Sequence, residues 1–294
     1  MPQKTKILLT GKNGQLARTI ISDLQKEYII KSYCKKKLDI TVKKNLEKII
    51  LKNKPTILIN TAAYNNVENS ERNKRLANQT NFIAVKYLKK ICDQNNIFLI
   101  HFSTDYVFDG KKKAAYNEEC LINPINEYGK SKAKGEKFLL NSVNKNFLIV
   151  RLSWVYSKLG VNFYTKITKL LKKQKNIHVV NDQYGIPTST KFIVYYLNII
   201  LKKIILKEKF SNIYHLTPNG KTTWYNFSIL IQNSLNKNRK KMIDKNVILP
   251  CNSNFYDKAT RPRNSVLSSE KIKKKLKKNF NNWKYYFNKE FGKK

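Results

Sequence analysis

The chain has 294 residues, 41% of them hydrophobic, enough to bury a sizeable core in one large domain or two modest ones. No apolar run approaches the roughly 20 residues of a membrane span, and the N-terminal MPQKTKILLT holds too short an apolar run for a signal-peptide core. The net charge of +40 invites nucleic acid as a partner, but only seven of the 59 cations are Arg, and Lys is spread throughout among Asn, Ile and Tyr as A/T-rich codons would dictate.

In chain order, residues 6–10 (KILLT) read as a strand, 15–26 as a helix, 28–33 (YIIKSY) as a strand, 42–53 as a helix and 56–60 (TILIN) as a strand. A helix over about 75–95 follows, then strands at 97–103 (IFLIHFS) and 147–153 (FLIVRLS), with a helix carrying Tyr128 between them. Short, near-continuously apolar strands separated by helices predict an α/β, Rossmann-type doubly wound parallel sheet with helices on both faces. Beyond about residue 155 the alternation loosens. A helix at 162–173, a strand at 177–180 and a helix at 190–206 lead into the irregular YHLTPNGKTTW (214–224). The last 70 residues read as short helices with a loop, LPCNSNFYDKATRPRNSVL (249–267). No repeat and no Pro/Gly/Ser-rich linker appears, so a second, smaller unit is expected to interleave with the first. The four cysteines (Cys34, Cys92, Cys120, Cys251) have neither redox nor metal spacing and read as reduced thiols of a cytoplasmic protein.

Gly11 and Gly14 of LLTGKNGQLA stand directly after the first strand and before its helix. Glycines there let the backbone turn and approach a pyrophosphate at the helix N-terminus. The third position of the pattern is Ala17, small enough for close helix–strand packing. At the end of the third strand, Ala62 and Ala63 would let a flat ligand lie against the backbone. Ser103, Thr104 and Asp105 emerge at the end of the fourth, where open parallel sheets bind ligands. In EYGKSKAKGE (127–136), Tyr128 and Lys132 are one helical turn apart on one face. A phenol near pKa 10 is too weak a base at neutral pH, and an adjacent ammonium is expected to lower that value. With the Thr104 hydroxyl, the pair could polarise a carbonyl for hydride attack. His101, His178 and His215 each sit in an apolar strand and are read as packed, hydrogen-bonded side chains; no metal cluster is expected, and Trp224 is read as packing under the second unit.

The glycine turn, STDYVFDG, YGKSKAKGE, RLSWVYS, NDQYGIPTS and RPRNSVL occur in the order found in the extended short-chain dehydrogenases/reductases. The chain most closely resembles their dTDP-4-dehydrorhamnose reductase subgroup, over roughly residues 5–290. The resemblance implies reduction of the C4 keto group of dTDP-4-dehydro-β-L-rhamnose, the last step of dTDP-L-rhamnose supply for cell-surface polysaccharide such as O-antigen. It makes Tyr128 the proton donor to O4, Lys132 the residue that lowers its pKa and holds the nicotinamide ribose, and Thr104 the third catalytic member. It places Gly11, Gly14, Gln15, Leu16, Asp39, Ile40, Ala62, Ala63 and Tyr64 at the cofactor, with Thr104, Asp105 and Trp154 at the sugar. Arg261 and Arg263 stand where guanidinium groups would clamp the diphosphate. Residues 1–160 and 187–216 would form the NAD(P)-binding unit, and 161–186 and 217–294 the nucleotide-sugar unit.

The second strand runs into Lys35, Lys36 and Lys37 with no acid before Asp39, which favours NADPH, with NADH usable as well. Some members of the family carry magnesium at a dimer interface. Here the two helices concerned offer Arg18–Thr19 and Ser189–Thr190–Lys191 without a carboxylate, which speaks against magnesium and leaves monomer or homodimer open. Three rival readings lose ground on particular residues. A non-catalytic relative of the methionine adenosyltransferase regulatory subunit need not keep Thr104, Tyr128 and Lys132 together. A dehydratase or epimerase is disfavoured because dehydratases place an Asp-Glu pair after the Thr, whereas Asp105 is followed by Tyr106. A nucleic-acid protein is disfavoured by the scarcity of Arg, and no membrane partner is expected.

Overall fold

In the first five strands alternate side chains face opposite ways, and both faces are covered in all but the second, which lies at the sheet edge and is partly exposed. The computed structural model describes residues 4–173, 176–237, 247–256 and 259–292. It begins with β1 (Lys6–Thr10), α1 (Gln15–Leu24), β2 (Ile29–Tyr33), α2 (Lys43–Asn53) and β3 (Ile57–Asn60). Two short helices follow, α3 (Val67–Arg72) and α4 (Lys74–Asn78), then a π-helical turn (Gln79–Ile83), α5 (Ala84–Gln94) and β4 (Phe98–Thr104). After a 3₁₀ turn (Asp105–Val107) come α6 (Glu127–Leu140) and β5 (Phe147–Leu152).

The remainder comprises β6 (Val155–Tyr156), α7 (Phe163–Lys172), β7 (Ile177–Val180), β8 (Tyr184–Gly185), β9 (Thr188–Ser189), α8 (Thr190–Ile205), β10 (Ile213–His215) and β11 (Thr222–Thr223). Last come α9 (Trp224–Asn236), β12 (Ile248–Cys251), α10 (Glu270–Leu276) and α11 (Trp283–Phe291).

The main sheet has six strands in the order β10-β5-β4-β3-β1-β2, all parallel. The chain leaves β1 towards β2 and returns to the other side at β3, so the order reverses between β1 and β3. Ligands bind such sheets at the strand ends beside this reversal. Ile7, Leu9, Ile59, Ile100 and Val150 join one core with α1 and α8, and Leu8, Leu58, Leu99 and Ile149 join a second with α2 and α5. Burial on both sides is what writes these strands as apolar runs. Ile272, Leu276 and Phe280, from the C-terminal part of the chain, pack into the first core. A third core gathers Phe227, Trp283 and Phe287 with Ile167, Val179 and Ile186.

Three expectations change. The helix expected over 75–95 is broken at Gln79–Ile83, where the buried Asn81 turns its side chain onto neighbouring elements. The segment read as irregular holds β10 and β11, and the loop at 249–267 begins as a strand, β12, parallel to β7. Residues 257–258 of that loop lie outside the described residues. Among the described residues no helix is long and apolar enough to cross a membrane.

Candidate active site

At the reversal point, Gly11 has φ +70°, and a Cβ there would fall 2.9 Å from the Ala62 nitrogen and the Thr61 hydroxyl. Both the conformation and the space demand glycine. The turn delivers the chain to Gly14, which caps α1 without a side-chain bond, so the first N–H groups of the helix face the crevice end of the sheet. The Gln15 side chain is occupied: it donates to the Val155 carbonyl (3.0 Å) and accepts from Ser157 (3.1 Å) and Asn162 (3.0 Å), so only its backbone is offered to a phosphate. Leu16 and Ile40 are buried packing residues. Asp39 Oδ1 accepts from the Thr41 amide (2.9 Å) and hydroxyl (2.7 Å), while Lys35, Lys36 and Lys37 are exposed. Tyr64 is fixed by Asn81, whose amide accepts from Tyr64 N and donates to Tyr64 O, both at 2.9 Å, and donates to Ser131 on α6. The π-helical turn therefore ties the loop after β3 to the helix carrying Tyr128.

Asn126 opens α6 by accepting from the Gly129 amide at 2.8 Å. Gly129 is needed because a Cβ would lie 2.2 Å from the Tyr106 carbonyl oxygen, so α6 rests directly on the turn after β4. This brings Tyr128 to Thr104. The Thr104 hydroxyl donates to Asp105 Oδ1 (3.0 Å) and accepts from the Tyr106 amide (3.2 Å), and it also hydrogen-bonds Tyr128. Asp105 is buried and receives the hydroxyls of Ser153 (2.9 Å) and Thr104, with the Ser265 side chain close by. Burial outweighs these bonds and raises its pKa to about 6. It therefore orients Thr104 instead of lying open to a sugar.

The expectation that Lys132 lowers the Tyr128 pKa is not met. Desolvation pushes the phenol up to about 12, opposed by the Thr104 bond and reinforced by the Asp105 charge. Lys132 is turned elsewhere, with Nζ donating to the Phe102 carbonyl (2.6 Å) and 3.2 Å from His101 Nε2. Burial lowers its own pKa to about 8, against the charge of Glu136. Tyr128 thus holds its proton, which suits a donor better than a base.

Beside this trio lies a cleft of about 1260 Å³ lined by Lys111, Lys112, Lys113, Lys166, Lys221, Arg261 and Arg263 against two acids, Asp109 and Asp182. The excess of cations suits a diphosphate. Tyr128 and Lys132 do not line it. Arg261 joins the two regions: it lies against the half-buried Tyr106 phenol, whose ring meets Tyr128 edge-on at 6.0 Å, and it pairs with Glu68. Arg263 is exposed. Trp154 is buried, adopts φ +45°, seats its ring on Gly185 and stacks on Trp224 at 3.4 Å. Trp224 lines the cleft as well as meeting the third core, more than the packing role expected of it. Of the histidines, His101 and His215 are buried and bonded, whereas His178 is half-exposed, lines the cleft and stacks on Phe255 at 4.6 Å. At the helices weighed for magnesium, Thr19 donates to Thr190 (2.9 Å), and α1 does carry a carboxylate, contrary to the expectation: Asp23, paired with Lys191 (2.6 Å). Among the described residues, no group of three or more His, Cys, Asp or Glu is placed to hold a metal ion.

Sequence reading missed Asn81, Ser153 and Ser265 at this site. Their partners stand 17, 48 and 160 positions away, and no local spacing announces them.

Comparison with known proteins places this geometry. The family described as RmlD substrate binding domain matches residues 5–291. A dTDP-4-dehydrorhamnose reductase of Aggregatibacter actinomycetemcomitans is 36% identical over 273 residues, 91% of this chain and 92% of that relative. A dTDP-4-keto-6-deoxy-D-glucose reductase of Streptomyces niveus is 31% identical over 75% of each chain. The crystal structure of dTDP-4-dehydrorhamnose reductase from Bacillus anthracis in complex with NADP superposes with a TM-score of 0.88 at 31% identity, covering 98% of this chain and 99% of that one.

Proposed function

The chain belongs to the RmlD substrate-binding-domain family as an NAD(P)-dependent oxidoreductase, and on that footing we propose that it reduces the C4 keto group of dTDP-4-dehydro-β-L-rhamnose with NADPH to give dTDP-L-rhamnose. The observation that carries this reading is the Tyr128–Thr104 contact beside Lys132, at the sheet edge that adjoins a cation-lined cleft.

The cradle fits a dinucleotide: Gly11 and Gly14 admit the pyrophosphate at the start of α1, Ala62 and Ala63 leave room for a flat ring, and Lys35–Lys37 face a 2′-phosphate. When bound there, a reduced nicotinamide supplies the hydride for C4. The protein's residues do the rest. Thr104, whose one hydroxyl hydrogen is held by Asp105, keeps the Tyr128 phenol in place, and Tyr128 gives its proton to O4 as negative charge develops on that oxygen. The Lys132 ammonium stabilises the phenolate left behind and holds the ribose. Arg261 and Arg263 take the diphosphate, and the Trp154–Trp224 stack walls the sugar.

We assign residues 1–160 and 187–216 to the cofactor unit, which the six-stranded sheet supports, and 161–186 and 217–294 to the sugar unit, which the third core supports. The reaction fits the cytoplasm, where the nucleotide sugar and NADPH are found. Monomer and homodimer are both compatible with it.

The test is incubation with NADPH and dTDP-4-dehydro-6-deoxyglucose, with and without a 3,5-epimerase, and identification of the product by NMR. Formation of dTDP-L-rhamnose only when the epimerase is present is expected. Equal or faster reduction without it would reassign the substrate to the D-gluco ketone.

A further inference from the structure

Three buried polar side chains cross the sheet in register, on the face that α6 covers. Thr10 on β1 pairs with Asn60 on β3, and Asn60 pairs with His101 on β4. They are 0%, 1% and 1% exposed, and each touches the next: Thr10 Oγ1 to Asn60 Oδ1 at 2.6 Å, and the Asn60 amide to His101 Nδ1 at 3.0 Å. The row ends on Lys132 Nζ, 3.2 Å from His101 Nε2. Apolar residues would satisfy these positions at less cost, since each buried polar group must be partnered.

We propose that His101 is a positioning residue for Lys132: its neutral imidazole, held by Asn60, gives the ammonium a buried acceptor and so keeps Lys132 charged and fixed against the end of β4, one helical turn from Tyr128. This rests on the role given to Lys132 in the proposed reaction. An ammonium is donor-only, so Nε2 must accept from it; a neutral ring that accepts at Nε2 carries its hydrogen on Nδ1. That N–H finds its acceptor in the Asn60 amide once the amide presents its oxygen, with the amide nitrogen then turned to Thr10. Amide orientation and ring tautomer are therefore set together. With the Phe102 carbonyl and His101 each taking one N–H of Lys132, a single N–H is left for ligand.

His101 itself stays neutral, because full burial and the neighbouring Lys132 charge drive its pKa well below the ordinary value. The other charged groups around α6 are engaged: Glu136 with Arg151, and Glu71 and Lys74 with Glu127 at the first turn. Asp105 is bound by hydroxyls, and Tyr128 holds its proton.

The experiment compares His101→Gln, His101→Asn and His101→Leu with the wild type. It reads NADPH binding by nicotinamide fluorescence and NADPH-dependent turnover, both from pH 6 to 10, with thermal unfolding as a control. A Gln amide reaches the Nε2 position and can accept from Lys132, whereas an Asn amide reaches only the Nδ1 position, next to Asn60. His101→Asn and His101→Leu are expected to move the alkaline limb of both profiles down by about one pH unit, the loss of one hydrogen bond to a charged group. His101→Gln should keep the wild-type limb. An unmoved limb in a folded Asn or Leu variant overturns the proposal, as does a Gln variant that behaves like Asn. If His101→Leu fails to fold, the contrast of Gln with Asn decides alone. A wild type that binds NADPH yet reduces no dTDP-4-keto sugar overturns the substrate assignment, and the binding profiles still decide the role of His101.

Discussion

At Tyr128 desolvation prevails, opposed by the Thr104 bond and reinforced by the Asp105 charge, while Lys132 directs two of its N–H groups to His101 and Phe102. A phenol raised to about 12 is a donor at any working pH. Tyr128→Phe should therefore lower turnover by about 10²-fold or more while NADPH still binds, as rapid-quench rates and fluorescence titration would show; near-wild-type turnover removes Tyr128 from the acid role. The same site predicts a bell-shaped pH profile of kcat/KM. Asp105 must be a carboxylate to accept from Thr104, so the rate falls as pH drops through about 6. Lys132 must be an ammonium, so the rate falls again as pH rises through about 8. A flat profile from pH 5 to 9 would contradict both assignments. The spacing of Tyr128 and Lys132 was legible in the sequence because it is local. Which way the phenol's pKa moves was not, because it depends on burial and on Thr104 and Asp105, supplied by the end of a different strand.

At the scale of elements, α6 works because it lies against the turn after β4. A methyl at position 129 would meet a backbone oxygen that cannot swing aside, so Gly129→Ala must shift the helix. Overpacking of this kind costs about 1–3 kcal/mol, a fall in Tm of roughly 2–4 °C per kcal/mol in a chain of this size. Moving Tyr128 off Thr104 should cut turnover by about tenfold or more, whereas Lys137→Ala on the exposed side of α6 should leave both unchanged. Calorimetry and steady-state kinetics on the two variants check this.

The segment after β2 carries a second prediction. Lys35, Lys36 and Lys37 are exposed, Lys35 in an ion pair with Asp39, which is also tied to Thr41, so NADPH should exceed NADH by about tenfold in kcat/KM, about 1.4 kcal/mol. Replacing all three with Ser should collapse the ratio; an unchanged ratio would exonerate them. The strand–helix alternation of the first 150 residues could be read because each strand is long enough to carry a pattern. The π-helical turn could not, since what breaks the helix is a tertiary bond from Asn81. The two-residue strands β6, β8, β9 and β11 are too short to show any period.

For the whole molecule, the charge of +40 reads in the sequence as codon bias spread along the chain, yet seven of the 59 cations converge on one cleft. Their convergence was illegible because they come from segments far apart in sequence. The same is true of the bond between Glu68 and Arg261, separated by 193 positions. Glu68 also accepts from the Ala259 amide, so one carboxylate of α3 pins the stretch 259–261 across from it. In the resting enzyme the guanidinium proposed for the diphosphate already has an anion. On the proposed reading, substrate entry would be an eviction: a diphosphate would take the place of Glu68, and the displaced carboxylate would let go of Ala259 in the same event. The gain on binding would be only the difference between two anions, and the hold of α3 on residues 259–261 would slacken as the sugar arrives. Glu68→Gln should tighten nucleotide-sugar binding and Arg261→Ala weaken it, each leaving NADPH affinity little changed in titration calorimetry. Weaker sugar binding in Glu68→Gln would make the carboxylate a buttress of the site in place of its rival tenant.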